Sequence, residues 1–138
     1  MARKATSRIE QEMYDALEHF FEGKISGEFY PSDCRPADSE VEDAVLTVSN
    51  ATAEQIQDGT ARINIYVPDL DNGSGRPVPD KDRLTALSEL DEQIIDVLNE
   101  ADTDYEFDLS KGTETINAEA IKQHFVNITI EFKYITFN

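Results

Sequence analysis

Two long stretches in which apolar and polar residues alternate constrain the fold of this chain most. They are TARINIYVPD at residues 60–69 and HFVNITIEFKYITFN at residues 124–138. A period of two places successive side chains on opposite faces of a strand. The pattern therefore predicts strands of an antiparallel sheet with one buried and one polar face. The predicted buried face holds Ala61, Ile63, Ile65 and Val67 in the first stretch, and Val126, Ile128, Ile130, Phe132 and Tyr134 in the second.

Two segments have the apolar spacing of amphipathic helices. The first is predicted to begin at Ser7, which has the capping-box spacing to Glu10, and to end at Gly23. The second is predicted over residues 81–101 with Asp80 as its N-cap. The apolar stripes comprise Ile9, Met13, Leu17, Phe20 and Phe21 in the first helix, and Leu84, Leu87, Leu90, Ile94, Val97 and Leu98 in the second.

Shorter patterns complete the predicted sheet. EDAVLTVSN at residues 42–50 alternates like a strand, and short strands are expected at residues 27–30 and 105–109. Asp58-Gly59 is expected to lie where the chain reverses direction, and Pro68 is expected to end a strand because it cannot donate to a ladder. The segment after Gly112 is consistent with a strand around Ile116 or a turn around Asn117.

The order of these elements predicts an α+β protein, an antiparallel sheet with two main helices packed on one face. No repeat or linker divides the 138 residues, so we predict a single α+β domain over residues 1–138. Residues 1–6 have no apolar pattern and are expected to form a mobile basic N-terminal arm.

The charge of the chain limits its partners. Twelve Lys and Arg residues against 29 Asp and Glu residues give a net charge of −17. Three of the cations, Arg3, Lys4 and Arg8, fall in the first eight residues, where there is no acid. A protein this acidic is repelled by nucleic acids and anionic lipids. Its charge is compatible with cationic partners and with copies of itself that have complementary surfaces. We therefore expect no direct binding to nucleic acid or to a membrane.

The sequence predicts no catalytic residue, no cofactor and no metal site, and hence a protein that is not an enzyme. His19, His124 and Cys34 stand outside any catalytic motif. The segment from Asp69 begins like a calcium loop, but its sixth place is Ser74 instead of glycine and its twelfth is Asp80 instead of glutamate. Turn chemistry therefore explains the loop better than a cation does, although a weak cation site stays open.

Cellular location also follows from what the chain contains. A single cysteine cannot form an internal disulfide, and no apolar run approaches the roughly 18 residues of a membrane span. The first residues, MARKATSRIEQEM, do not have the apolar stretch of a classical export signal. These features predict a soluble cytoplasmic protein.

The layout of the whole chain resembles that of a known class of proteins. A capped amphipathic helix leads to CRPADSEVEDAVLTV, then to GTARINIYVPD, a loop, a long helix and the closing strand HFVNITIEFKY. This order resembles the small tail-completion (tail terminator) and head–tail joining proteins of tailed phages and prophages. No diagnostic motif is part of the resemblance.

The resemblance implies a subunit without catalytic residues. Such a subunit assembles as a ring, commonly of six copies, stops growth of the tail tube and forms the joint to the head. Its partners would be copies of itself and other tail or connector proteins, first in the cytoplasm during assembly and then in the virion. By position in the layout, the expected subunit contacts are the basic arm and the loop between Pro68 and Asp80, with the residues Arg3, Lys4, Arg8, Asp69, Asp71 and Arg76.

Two further expectations concern how such a chain would bind. Exposed strand edges at EDAVLTV or VNITIEFKY are expected to pair with the edge of a neighbouring copy. The alternative function is an acidic binding module, such as a DNA-mimicking inhibitor of nucleic-acid enzymes. Mimicry needs carboxylates in a row along one face, whereas the sequence scatters its acids over both helices and the loops.

Overall fold

The computed structural model describes residues 5–50, 56–101, 104–109 and 112–135, and it has the α+β fold that the sequence predicts. Six strands form a mostly antiparallel sheet, two short strands form a separate hairpin, and the helices pack on one face of the sheet. The elements are α1 (Thr6–Leu17), β1 (Phe29–Pro31), β2 (Ala44–Asn50), β3 (Ile56–Pro68), β4 (Leu70–Asp71), β5 (Pro77–Val78), α2 (Lys81–Ser88), α3 (Asp91–Ala101), β6 (Tyr105–Asp108), β7 (Thr113–Ala118) and β8 (Gln123–Ile135).

Strand β8 is the centre of the main sheet. The order is β1-β2-β3-β8, and β6 and β7 pair with the opposite side of β8, one after the other. The ladder between β3 and β8 runs from Pro68 and Gln123 to Ile56 and Ile135. The prediction that VNITIEFKY is an exposed edge is therefore wrong, because β8 has strands on both sides. EDAVLTV is covered by the parallel strand β1 at Ala44–Leu46.

The core lies between the sheet and the helices, as the alternation predicts. The apolar residues predicted on the buried face of β3 and β8 are all buried in one cluster with the stripe of α1. Leu84, Leu87, Ile94 and Leu98 complete it from the second helical segment. Leu90 and Val97 of the predicted stripe are only half-buried.

The first helix differs from its prediction at both ends. It begins at Thr6 after Ala5, and no side chain caps it, so the predicted capping box of Ser7 does not form. It ends at Leu17, and a series of turns then leads to Gly23, which has a φ of 78°. A positive φ suits glycine, so Gly23 lies within the turns that follow the helix and does not end the helix itself. Because Thr6 is already helical, the helix includes part of the range predicted for the arm.

The second predicted helix is broken in two. Asp80 does cap it, since its Oδ1 accepts a hydrogen bond from the N–H of Arg83 at 3.2 Å. At Leu90 the N–H donates to Leu87 instead of continuing the α-helical pattern, and a new helix begins at Asp91. The break lets α2 contact β3, β7 and β8 while α3 contacts α1 and β6.

Asp58 and Gly59 do not lie at a reversal of the chain. Both belong to β3, where Gly59 pairs with Asn50 on one side and with Phe132 on the other. Residues 51–55, which connect β2 to β3, fall outside the described residues. The glycine at this place serves a close approach, because a methyl group there would overlap the ring of Phe132.

The remaining expectations on elements are resolved by the structure. The segment after Gly112 is a strand, β7, and not a turn around Asn117. The strand expected at residues 105–109 is β6, and its Tyr105 and Phe107 are buried in the core. Within the described part of the chain, no helix is both long and apolar enough to cross a membrane.

Candidate assembly surface

The predicted contact loop is a small hairpin built by turn chemistry. Strands β4 and β5 pair through Leu70 with Val78 and Asp71 with Pro77. At the tip, Asp71 Oδ1 accepts from the N–H of Gly73 at 2.9 Å, and Asn72 Oδ1 accepts from Ser74 at 3.0 Å. Short polar side chains bond their own backbone in this way and direct the turn. Asp71 thus has a local role, and the loop has the turn chemistry that the sequence favours.

The base of the hairpin is fastened to the sheet by a histidine that sequence analysis assigned no role. Asp69 Oδ1 lies 2.7 Å from His124 Nδ1, and both side chains are mostly buried. The backbone N–H of Asp69 donates to the carbonyl of Lys122 at 3.1 Å. Asp69 therefore holds the base of the hairpin in place. The alternation of the last strand placed His124 on the core side, which is the signal that could have found this pair.

A cleft of about 550 Å³ lies between the hairpin and the turn that joins β7 to β8. Two large apolar side chains that line the cleft are exposed to solvent, Leu70 to 48% and Ile121 to 40%. Arg76 and Lys122 also line it, and both are exposed. The remaining lining residues are Glu40, Pro68, Asp69, Asp71, Gly75, Pro77 and Gln123. We call this surface, where exposed apolar groups stand beside cations, the hairpin cleft.

A buried polar network fixes the wall of the hairpin cleft that carries Glu40. Asp43 is 1% exposed, and its Oδ2 accepts from Arg35 Nε at 2.9 Å. Its Oδ1 accepts from the N–H of Glu28 at 2.9 Å. Arg35 Nη2 donates to Gln123 Oε1 at 3.0 Å, and its guanidinium lies 4.2 Å from the ring centroid of Tyr66.

The same network continues through an amide. Gln123 is buried, and its Nε2 donates to the carbonyl of Ser39 at 2.8 Å. The hydroxyl of Ser39 in turn donates to the Asp43 carboxylate. The segment from Arg35 to Asp43 is thereby tied to the first residue of β8, which lines the hairpin cleft. A surface with so many internal bonds is pre-organised for binding.

A second ion pair connects this segment to α2. Arg83 Nε and Nη2 donate to the two carboxylate oxygens of Glu42, each at 2.7 Å. Arg83 Nη2 also donates to the carbonyl of Lys24 at 3.0 Å. The hydrogen bonds to Glu42 raise the pKa of Arg83 above its ordinary value, against a smaller opposing effect of burial. The fork geometry makes this a directional contact that positions α2.

The four cations that were predicted as subunit contacts do not lie on a single surface of the described structure. Arg8 lies on α1, where its Nε pairs with Glu12 Oε2 at 3.1 Å in an exposed i,i+4 bridge. Arg3 and Lys4 lie outside the described residues. Arg76 stands at the hairpin cleft, and no other described residue forms an ion pair with its guanidinium. The structure thus brings Asp69, Asp71 and Arg76 together at one surface and leaves Arg8 apart from it.

The histidine, cysteine and acidic side chains were the candidates for a metal site or a reactive group. No group of three or more His, Cys, Asp and Glu side chains among residues 5–50, 56–101, 104–109 and 112–135 is arranged to hold a metal ion. His19 is exposed and bonds Glu22 at 3.0 Å, a contact that raises the pKa of the imidazole. Cys34 is an exposed free thiol. The hairpin cleft is therefore the best candidate for a functional surface.

Comparison with known proteins adds no function. No protein-family model matches this chain, and no curated protein matches it. A solved structure whose name describes no function aligns with 99% of this chain and 99% of its own length, at 11% identity and a TM-score of 0.46. A TM-score at that level carries no argument. The functional conclusion therefore depends on the surface itself.

Proposed function

We propose that this chain is a structural subunit of phage or prophage assembly, of the tail-completion or head–tail joining type, which acts through protein–protein contacts in a ring. The observation that carries the proposal is the hairpin cleft, with exposed Leu70 and Ile121 on a rigidly anchored base. Burial of such side chains in a partner would remove apolar area from water. In this role the chain needs neither a catalytic residue nor a cofactor.

Two exposed cations support a second copy of the chain as the partner of the hairpin cleft, since two of the three acids that line it are already bonded at the base and tip of the hairpin. Arg76 and Lys122 stand at the cleft, whereas α1 and the turn after it carry exposed acids such as Asp15 and Glu18. Contact between two different surfaces of identical subunits is heterologous, and such contacts form a ring when the rotation from one subunit to the next closes. The net charge of −17 would let DNA pass through the ring without adhering. Other tail or connector proteins would bind the ring in the virion.

Reversing the charge of Arg76 should weaken assembly. We expect Arg76→Glu, alone or with Leu70→Asn and Ile121→Asn, to lower the average mass measured by light scattering at a fixed protein concentration. The loss should be about tenfold or more in association constant, since a cation at the contact becomes one more acid. Arg62→Glu is the matched control, because it reverses the same charge on the open face of the sheet. Equal effects of the two reversals would contradict a role for the cleft.

The basic arm should contribute independently. Deletion of residues 1–8 is expected to weaken assembly, but it also removes the first turn of α1. Replacing Arg3 and Lys4 with Gln keeps that turn and tests the charges alone. We expect this double variant to have a lower average mass than the natural protein at low salt. The difference between the two proteins should be smaller at high salt, where surface charges are screened. An unchanged oligomer would exclude the arm, and Arg8→Gln is the control within α1.

The alternative function, an acidic module that mimics DNA, is favoured by one observation. Glu92, Asp96 and Glu100 are all exposed on α3 and recur every four residues, so they form a row on one side of that helix. Neutralising this row as Gln, Asn and Gln would then abolish binding to a basic DNA-handling protein. The same triple variant should leave ring formation through the hairpin cleft detectable, which separates the two functions.

A further inference from the structure

Strands β6 and β7 lie on the side of β8 opposite β3 and form the edge of the sheet there. The alternation of hydrogen bonds along each ladder shows which of their backbone groups point away from β8. The N–H of Thr129 donates to the carbonyl of Gly112 at 3.3 Å, and the N–H of Asp69 donates to that of Lys122. In an antiparallel ladder, residues that bond the partner alternate with residues that face away from it. With the observed register, the outward backbone groups of β7 are therefore those of Thr113, Thr115 and Asn117.

The edge of β6 is closed by a side chain. By the same alternation, the backbone N–H and carbonyl of Phe107 point away from β8. The N–H of Phe107 donates to Asn99 Oδ1 at 3.1 Å, and Asn99 Nδ2 donates to the Phe107 carbonyl at 3.3 Å. The amide of Asn99 thus takes the place of a neighbouring strand, and β6 offers little to a second chain.

The edge of β7 has no comparable cover among the described residues. The hydrogen bonds of the described chain include none to the outward backbone groups of Thr113, Thr115 or Asn117. The four central residues of TETINA are exposed, Ile116 to 36%. Proteins usually protect such an edge with lysine, proline or a covering element, and β7 contains neither residue.

We propose that β7 pairs antiparallel with β7 of a second copy, about a twofold axis at Thr115. In this register Thr115 faces Thr115, and Thr113 faces Asn117, so all three outward residues bond their counterparts. Glu114 falls opposite Ile116 of the other copy, which keeps the two carboxylates from facing each other directly. The two sheets become one continuous sheet with the helices on the same side.

Neighbouring registers fit the same segment less well. An axis at Glu114 sets the two Glu114 carboxylates opposite each other, which is unfavourable in a chain of net charge −17. An axis at Ile116 sets Thr113 opposite Glu119, which belongs to the turn after β7 and not to the strand. The sequence of β7 thus favours the axis at Thr115.

This pairing goes beyond the proposed ring. It is isologous and uses the edge of β7, whereas the ring uses the hairpin cleft and a different surface of the next copy. Each contact can therefore fail while the other persists. Because two acidic bodies approach, the dimer should strengthen as salt rises, since screening weakens their repulsion.

A cysteine cross-link tests the register directly. In a Cys34→Ser background, Thr115→Cys should form a disulfide dimer under mild oxidation, because the two residues 115 are directly opposite, at about 5.5 Å between Cα atoms. Ile116→Cys is the matched control, since its counterpart lies on the diagonal at about 7–8 Å. Cross-linking of Thr115→Cys well above the control, on a non-reducing gel, is expected. Equal or no cross-linking overturns the proposal.

A proline provides the solution test. Thr115→Pro removes an N–H that points away from β8, so it leaves the ladder within one copy intact. In an Arg76→Glu background, which disrupts the cleft contact, light scattering in about 1 M salt should show a dimer. Adding Thr115→Pro should lower the association constant of that dimer by about tenfold or more, because two hydrogen bonds are lost per dimer. A dimer unaffected by Thr115→Pro, or an Arg76→Glu protein that stays monomeric, contradicts the pairing. If Arg76→Glu changed assembly no more than Arg62→Glu while the Thr115→Cys cross-link still formed, the ring contact alone would be contradicted.

Discussion

Replacing Asp43 with Ala should lower the free energy of unfolding by about 3–5 kcal/mol, the usual cost of removing one partner of a buried ion pair. The carboxylate is 1% exposed and accepts from Arg35, from the hydroxyl of Ser39 and from the N–H of Glu28. Without it, the guanidinium of Arg35 remains in a site where little water can reach it. Urea unfolding followed by circular dichroism measures the loss.

The exposed bridge between Arg8 and Glu12 provides the control for Asp43. The Arg8 side chain is 70% exposed, so Arg8→Ala should cost less than about 1 kcal/mol. A loss for Asp43→Ala as small as that of Arg8→Ala would mean that the network adds nothing to stability. The free energy of unfolding that Asp43→Asn loses should lie between the losses for Asp43→Ala and Arg8→Ala, because the amide keeps one acceptor but not the charge.

Gly59→Ala should destabilise the protein by about 3 kcal/mol, at the upper end for overpacking of a buried site. Gly59 is paired on both sides within β3, and its new methyl group would overlap the ring of Phe132 and lie 2.6 Å from the carbonyl oxygen of Ser49. Its φ is not positive, so the cost is steric and not conformational. Thermal or urea unfolding measures the change.

A double variant identifies the cause of that cost. Phe132→Leu shortens the side chain that the methyl group would meet, so Gly59→Ala should cost less in this background than in the natural protein. Gly23→Ala tests the opposite case, with nothing within 4 Å but a φ of 78°. We expect Gly23→Ala to lower the free energy of unfolding by about 1–2 kcal/mol, because of the backbone conformation alone. Additive effects of Gly59→Ala and Phe132→Leu would be contrary to the steric explanation.

The parts of the fold that the sequence predicted are those set by local periodicity. Alternation identified the buried residues of β3 and β8, because a strand with one wet face cannot change register without moving apolar side chains into water. The cap at Asp80 was also predictable, since its acceptor serves an N–H three residues away. Asp58-Gly59 misled because the same dipeptide serves turns and close strand contacts.

The candidate site was predictable only in part, because distant residues build it. The hairpin tip follows from its own Asp, Asn and Gly residues, whereas Asp69 meets His124, and Arg35 meets Gln123, across large parts of the sequence. Periodicity contains no information on such pairs. The same limit explains why β8 was taken for an edge: a strand's neighbours depend on topology and not on its own pattern.

The central position of β8 has a consequence for synthesis and folding. The last strand of the described chain fills the gap between β3 on one side and β6 and β7 on the other. During translation we therefore expect the sheet to stay split, with its apolar face open, until the residues of β8 leave the ribosome. A chain with such non-local pairing should fold slowly, in milliseconds to seconds, and a transcript truncated within β8 should yield an aggregating product instead of a smaller folded one.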